Sequence, residues 1–477
     1  MPWSSGDSLS PSNLNRKSGV VFNVKEYGAV GNGSTNDTTA FATALSAATR
    51  GDTVFVPSTQ SGYVLTSTVT VPESVTLAGA ARGLRSSQWV DGVGLNSTTS
   101  GRGTQLRLSN KTDAAIVLLD DAAVENFTFF YPGQSWGLTS VSSSWQTYAT
   151  TIQLGVSGAA VFTPAVRGCH FLGATIGISQ GDTTGNAVNS AQIENCSGVV
   201  TQWFANLRLV SDPVRVNNIS LNPVYATAFV TDSTVNGSST AFYTKVAQTA
   251  VMLHLGGVSD LFASDLYGFG LRHLAHWNND QFTGDGNEEC GGHFTNIVAD
   301  SCYQAFRIDR KNNVTPLNVT NARFAPLIRP TGASSDGSHQ AVLSLRSSTQ
   351  SFRASFVNFR SHGSNLASFE AGYSGNADHA FVADAGLLTP NSIIVNVDNA
   401  FFDNLGRSVT DSSMSGVVRF GKYCNADIPQ AQRWDALLSL LSAVALPSTQ
   451  TGLGYMYADS GTSLYWVNGS GVSTLMV

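Results

Sequence analysis

The sequence predicts an all-β protein, a parallel β-helix solenoid with a short N-terminal capping helix and a small β-rich C-terminal module. Three observations predict it. Short runs rich in Val, Ile, Leu and Phe are separated throughout by Gly, Asn, Ser and Thr. One small pattern recurs along most of the chain. A clear helical pattern appears near the N-terminus, where the open apolar end of a solenoid would need a polar-faced cap.

The cap comes first. Val20, Val21, Phe22 and Val24 supply a strand, and Gly31-Asn32-Gly33 ends it because its glycines tolerate positive φ. Asn36-Asp37-Thr38 offers side-chain oxygens to the free N–H groups of a following helix. Phe41, Ala44, Leu45 and Ala48 then recur at helical spacing, so one face is apolar and must cover something. A second strand follows Arg50-Gly51-Asp52.

The recurring pattern is an apolar residue, any residue, Asn or Gly, then mostly apolar residues. It appears as VENFTF from Val124, VRGCHF from Val166, IENCSG from Ile193, VNNISL from Val216, FTNIVA from Phe294, VTNARF from Val319, FVNFRS from Phe356 and VDNAFF from Val397. Steps of 27, 23 and 25 residues suit one turn of a three-sided solenoid, and the longer steps of 42, 78, 37 and 41 would hold inserted loops or weaker coils. The asparagines would then share a turn and form ladders. A β-sandwich would instead need tight hairpins, and few Asn-Gly or Asp-Gly pairs stand between alternating runs.

Composition narrows the function classes. Only 12% of the 477 residues are charged and the net charge of −6 provides no basic field, so nucleic acid and anionic membranes are not the main partners. A polyanionic substrate would need a local basic groove. No apolar run reaches the ~18 residues of a membrane-spanning helix, so no membrane insertion is expected. The segment MPWSSGDSLSPSNLNRKSG has no apolar signal region and reads as an arm or docking tail. Cys169, Cys196, Cys290, Cys302 and Cys424 lack metal-site spacing and read as buried thiols, which fits synthesis in a reducing cytoplasm.

The stretch FNVKEYGAVGNGSTNDTTAFATALSAA, followed by GDTVFVPS, YVLTSTVTV and SVTLAGA, resembles the N-terminal signature of the pectate-lyase-like right-handed β-helix superfamily, which includes many bacteriophage tailspikes. Usual members carry Gly-Asp-Gly where this chain has Gly31-Asn32-Gly33. VENFTFFYPGQSW with YATTIQLG, and DPVRVNNISLNPVYA, are similar to later segments of tailspike-type members, so the resemblance spans roughly residues 20 to 310. Such a signature reports fold strongly and reaction weakly, because the superfamily holds lyases, hydrolases, epimerases and adhesins.

The resemblance, with the missing signal, implies a virion tail component made in the host cytoplasm. Residues 1–19 are then a virion-docking arm toward tail or baseplate proteins, 20–425 the β-helix that binds and depolymerises host surface polysaccharide, and 426–477 a trimerisation module. In that module, PQAQRWDALLSLLSAVALPS from Pro429 reads as an amphipathic helix, and GLGYMYADSGTSLYWVNGSGVSTLMV as paired strands turning at Asp459-Ser460-Gly461 and Asn468-Gly469. So small a unit needs neighbouring copies to complete a core, hence a homotrimer. The competing class is an adhesin or structural tail protein of the same fold, and a cell-made polysaccharide lyase or hydrolase is third.

Glycoside hydrolysis, the favoured reaction over elimination, ordinarily needs two carboxyl groups. The densest polar stretch, LRHLAHWNNDQFTGDGNEECGGHF, holds Asp280, Asp285, Glu288 and Glu289, and with Asp309 these are the candidate catalytic residues. Asp260, Asp285 and Asp309 are 25 and 24 residues apart, near one coil, and would lie on successive rungs if the register held. Trp277 and Tyr303 are candidates for stacking on sugars, although such residues are more often core. In FRIDRKNN, Phe306 and Ile308 would point inward and Arg307 and Asp309 outward, so Arg307, Arg310 or Lys311 could serve a lyase, with Arg307 and Arg310 as substrate-binding candidates. Asp120, Asp121 and Glu125 are in reserve. His254, His273, His276 and His293 show no metal-motif spacing and read as core or surface histidines. No cofactor is called for; the calcium of resembling pectate lyases would need convergent oxygens that cannot be placed from sequence.

Overall fold

The structure, a computed structural model, describes residues 19–81, 103–134, 144–156, 158–180, 187–210, 212–226, 235–258, 260–278, 291–309, 316–326, 341–345, 352–362, 380–383, 393–403, 417–421, 424–427, 455–458, 464–467 and 473–475.

The N-terminal cap forms as its residues require. Helix α1 (Thr38–Ala47) buries Phe41, Ala44 and Leu45, and Phe41 meets the edge of Tyr63 with ring centroids 5.5 Å apart. Burying one such aromatic contributes about 1.5–3 kcal/mol. Asn36 Oδ1 accepts the Thr38 N–H at 3.1 Å, while the buried Asp37 carboxylate accepts from the N–H groups of Val30 (2.6 Å), Gly31 and Val64. Asp37 therefore ties the turn to the next coil instead of capping the helix. Gly31 sits at φ +63°, and a Cβ there would fall 2.7 Å from the Tyr63 ring.

The strand Val21–Asn23 pairs in parallel with Thr53–Val56, and every later pairing in the large sheet is parallel as well. One turn of the chain supplies a strand on a first face, a left-handed corner, a strand on a second face, a turn and a strand on a third face. Residues 261–277 are an example: Leu261–Phe269 bends at Asp265 (φ 55°) from first to second face, and His273–Trp277 forms the third. A closed interior results. Phe294, Phe306, Phe356, Phe381 and Phe402 run along it with successive centroids 5.1, 6.0, 5.5 and 6.2 Å apart.

The corner is where the repeat is written. Asn126, Asn195, Asn218, Asn296, Asn321, Asn358 and Asn399 have φ between 49° and 63°, and Gly168 has 62°. Asparagine and glycine enter this left-handed region at low cost. In the ladder each coil's Nδ2 donates to the previous coil's Oδ1: Asn218 to Asn195 (2.8 Å), Asn321 to Asn296 (3.3 Å), Asn358 to Asn321 (3.0 Å) and Asn399 to Asn358.

Two features depart from the sequence expectation. The long step between Val216 and Phe294 contains a further copy, because Val216 pairs with Ala263 and Ala263 with Phe294. Its corner residue is Asp265, which accepts from Asn296 Nδ2 at 3.1 Å; lacking an N–H, its carboxylate cannot donate to Asn218. The second is helix α2 (Val235–Thr249), inserted in the preceding coil, that of Asn218, with Phe242 and Val246 buried and Phe242 against the Trp145 ring at 5.5 Å. Its Ser/Thr-rich start and weak amphipathic pattern concealed it.

Cys169, Cys196 and Cys302 are buried and Cys424 is half-buried; Cys290 lies outside the described residues. Near the C-terminus Tyr455–Ala458, Leu464–Val467 and Ser473–Leu475 form a separate antiparallel sheet, with Tyr457 opposite Tyr465. The helix expected from Pro429 falls outside the described residues. Among the described residues no helix is long and apolar enough to cross a membrane.

Candidate functional site

On the third face, alternation turns every second side chain out of the solenoid. The tripeptides Leu253-His254-Leu255, Ala275-His276-Trp277, Phe306-Arg307-Ile308 and Leu343-Ser344-Leu345 stack in register, so their apolar residues line the interior and His254, His276, Arg307 and Ser344 form one outward column. The column continues to Asn206 and Ser179 on preceding coils and reaches Val382 on the following one. Apolar or small residues occupy its ends and titratable groups its middle.

Hydrogen bonds join the column. Asn206 Nδ2 donates to Ser179 Oγ at 3.3 Å, which leaves Asn206 Oδ1 to accept from His254 Nδ1 at 2.9 Å. Asn278 Nδ2 lies 3.4 Å from His254 Nε2, so His254 is a neutral imidazole with its proton on Nδ1. Burial, reinforced by nearby His276 and opposed by Asp309, pushes its pKa down to about 3. Trp203, half-buried, lies flat on His254 with centroids 4.1 Å apart and planes 3° from parallel.

Asp309, just past the Arg307 strand, joins the two charged members. Its Oδ1 accepts from Arg307 Nε at 2.8 Å, its Oδ2 meets His276 Nε2 at 2.9 Å, and Arg307 Nη1 also donates to Ser344 Oγ at 3.1 Å. The Asp309 and Arg307 side chains are only 7% and 5% exposed, and His276 is 14% exposed. An ionised Asp309 can only accept, so His276 carries its proton on Nε2 and presents the Nδ1 lone pair. Among the described residues Nδ1 has no hydrogen-bond partner. Burial lowers the His276 pKa against the opposing pull of Asp309, which keeps the ring neutral near pH 7. His273 joins the group with its ring 4.9 Å from His276, and burial first, then neighbouring His276 and Arg272, hold it well below the usual histidine range.

The sequence candidates fall into three groups. Asp280, Asp285, Glu288, Glu289, Arg310 and Lys311 lie outside the described residues. Asp309 and Arg307 come together, on the outer side but buried against each other. Trp277 is fully buried, with its ring on Phe294 at 5.9 Å, and Tyr303 is 6% exposed, so neither offers an open ring face to a sugar. The spacing of Asp260 and Asp309 does not make them rung neighbours: Asp309 follows the strand paired with His273–Trp277, whereas the Asp260 carbonyl accepts from Val214 N–H at the start of the first face. Coils of unequal length break the count. Asp120 and Asp121 bind neighbouring backbone and hydroxyl groups, and Glu125 pairs with Arg167 at 2.9 Å. His293 stacks on Phe262 on the first face, away from the other histidines. Among the described residues no cluster of three His, Cys, Asp or Glu could hold a metal ion.

Sequence reasoning read His254 and His276 as core or surface histidines and did not single out Asn206 or Trp203. The signal was present as a polar residue between two apolar ones, LHL, AHW, FRI and LSL, and becomes legible once the coils are in register.

Residues 21–159 match the family model described as rhamnogalacturonase A/epimerase, pectate lyase-like. With the parallel register, this decides the architecture. The fold is a parallel β-helix, similar over those residues to the pectate-lyase-like family. Solved structures similar to this β-helix include the Azotobacter vinelandii mannuronan C-5 epimerase AlgE4 A-module (12% identity, TM-score 0.46, 85% of this chain and 95% of that one). The N-terminal fragment of bacteriophage Phi29 gene product 12 is 13% identical with TM-score 0.46, over 85% of this chain and 65% of that one. The Dettilon tailspike protein (gp208) is 9% identical with TM-score 0.43, over 97% and 78%. No curated protein sequence matches the chain.

Proposed function

We propose that this protein is a phage tailspike whose β-helix binds a host surface polysaccharide along its third face and cleaves its glycosidic bonds, with His276 moving the proton. The reading is supported above all by one observation: His276 is held through Nε2 by a buried carboxylate, itself clamped by Arg307, while Nδ1 is left to act. A positioned imidazole that is neutral near pH 7 is a suitable general base, and such a group contributes typically 10²–10⁴-fold to rate. Asp309 is the positioning residue, and Arg307 Nε holds its other oxygen. Trp203, stacked on His254 at the half-exposed edge of the column, offers an aromatic surface for a sugar ring.

In this reading residues 1–19 dock to the tail or baseplate and 426–477 hold a homotrimer. The sequence signature and the family model over residues 21–159 support the β-helix part, and the polar column supports its use as a site. Polysaccharides extracted from candidate hosts, incubated with the purified full-length protein, test it. Release of reducing ends identifies cleavage, and ultraviolet absorbance of an unsaturated uronate separates elimination from hydrolysis. His276→Asn should lower either signal at least a hundredfold with binding retained. Undiminished cleavage by that variant would overturn the role of His276, and binding without cleavage would make the protein an adhesin.

A further inference from the structure

Cys169 and Cys196 each directly follow a left-handed corner residue, Gly168 or Asn195. On the first face Val166 pairs with Ile193 and Arg167 with Glu194, and on the second His170 pairs with Ser197. The Ser197 N–H donates to the Cys169 carbonyl at 2.9 Å. Register therefore stacks the two cysteines on neighbouring coils, at the interior position that Phe127 fills on the coil before them and Ile219 and Leu266 on the coils after. Each is 1% exposed and its thiol is free.

Neighbouring parallel strands lie ~4.8 Å apart, within the ~4.4–6.8 Å between Cα atoms that a disulfide spans. The backbone beside the pair has room to adjust, because the pairing of His170–Gln180 with Ser197–Val210 already shifts register between Leu172 and Ala174. Of the other described cysteines, Cys302 Sγ is directed to the Gly268 carbonyl and Cys424 Sγ to that of Val397, on well separated coils. The corner ladder also lapses at this place. Gly168 carries no amide, and Asn126 Oδ1 stands only 2.5 Å from where a Cβ would be, so the coils of Asn126, Gly168 and Asn195 lack the side-chain link that joins Asn195 to Asn218.

We propose that Cys169 and Cys196 are a cross-linking site: they form a disulfide that ties these two coils together, with a small-molecule disulfide as the oxidant. One thiol gives its proton to solvent and its thiolate attacks the oxidant, which releases one small thiol. The second thiolate then attacks the mixed disulfide at the protein sulfur and releases the other. The pair loses two electrons and two protons, and the oxidant leaves as two thiols. Burial first, then the adjacent Cys196 thiol, holds Cys169 well above the usual cysteine range. Thiolate is therefore scarce in the closed solenoid, and the bond forms while the coils open or fold. Neither thiol lies on the third face, so the inference stands apart from the polysaccharide reading.

The full-length protein is incubated with oxidised glutathione just below its melting temperature, where local opening admits the oxidant. It is then alkylated in denaturant, digested without reduction and analysed by mass spectrometry. The expected product is a peptide joining Cys169 to Cys196, lighter by two hydrogens than its parts and lost on treatment with dithiothreitol, with Cys302 and Cys424 recovered alkylated. Because the bond constrains the unfolded chain, the oxidised protein should melt roughly 3–6 °C above the reduced one. Cys196→Ala should melt alike after either treatment, and Cys196→Ser serves if the alanine variant does not fold. Recovery of Cys169 and Cys196 as alkylated or glutathione-capped residues, or a joined peptide from another pair of cysteines, would overturn the proposal. A joined Cys169–Cys196 peptide with no rise in melting temperature would overturn its role as a tie between coils.

Discussion

Arg307 and Asp309, two residues apart at the end of one third-face strand, meet through Nε and Oδ1 at 2.8 Å with both side chains buried. Neither charge belongs to the apolar interior, since Phe306 and Ile308 between and beside them already fill it. The pair exists on the outer side of the solenoid, where its effect is to fix His276.

Separating that pair should be costly. Asp309→Asn or Arg307→Met alone breaks the buried pair and should destabilise by about 3–5 kcal/mol. Arg307→Met with Asp309→Leu removes both charges and should recover most of the loss. Denaturant unfolding of the three variants checks this, and a double variant as unstable as the singles would contradict it.

Acid should weaken the protein through its histidines. His254 and His170, held by burial down to about 3 and about 4, take up protons in the unfolded chain near the ordinary 6.5 but not in the folded one. The unfolded state therefore binds more protons in this window, and stability falls as pH drops from about 6.5 toward 4, by up to about 1.4 kcal/mol per pH unit for each. Melting temperature measured against pH should show that slope, and His254→Asn should flatten it.

The corner ladder predicts an asymmetric pair of substitutions. Asn321→Gly keeps φ 56° and loses only the amide bonds to Asn296 and Asn358, whereas Asn321→Ala adds a left-handed penalty of about 1–2 kcal/mol. Alanine should be the worse in thermal unfolding. Asp265→Asn supplies the missing donor toward Asn218 and should stabilise by about 1 kcal/mol, with melting unchanged or lowered as the contrary result.

The two tryptophans should separate stability from binding. Trp277→Ala empties a core position and should cost about 3–5 kcal/mol, while Trp203→Ala should leave folding largely intact and weaken polysaccharide binding. Calorimetry and a binding isotherm on both variants distinguish the two roles.

The sequence by itself determined the solenoid, because its determinants are local. The α1 cap depends on Phe41, Ala44 and Leu45 at helical spacing. The corner depends on residues that accept positive φ, which makes Asn126 through Asn399 visible without knowing their neighbours. Asp265 escaped notice because an aspartate can take the conformation without continuing the amide pattern. What only the tertiary structure decided is which residues of different coils face each other. His254, His276, Arg307 and Ser344 stand 22, 31 and 37 residues apart, and inserted segments make those steps irregular, so no fixed period in the chain could align them. Backbone pairing between parallel strands sets that alignment, and it placed Asp309 against His276 and Arg307 instead of on a rung with Asp260.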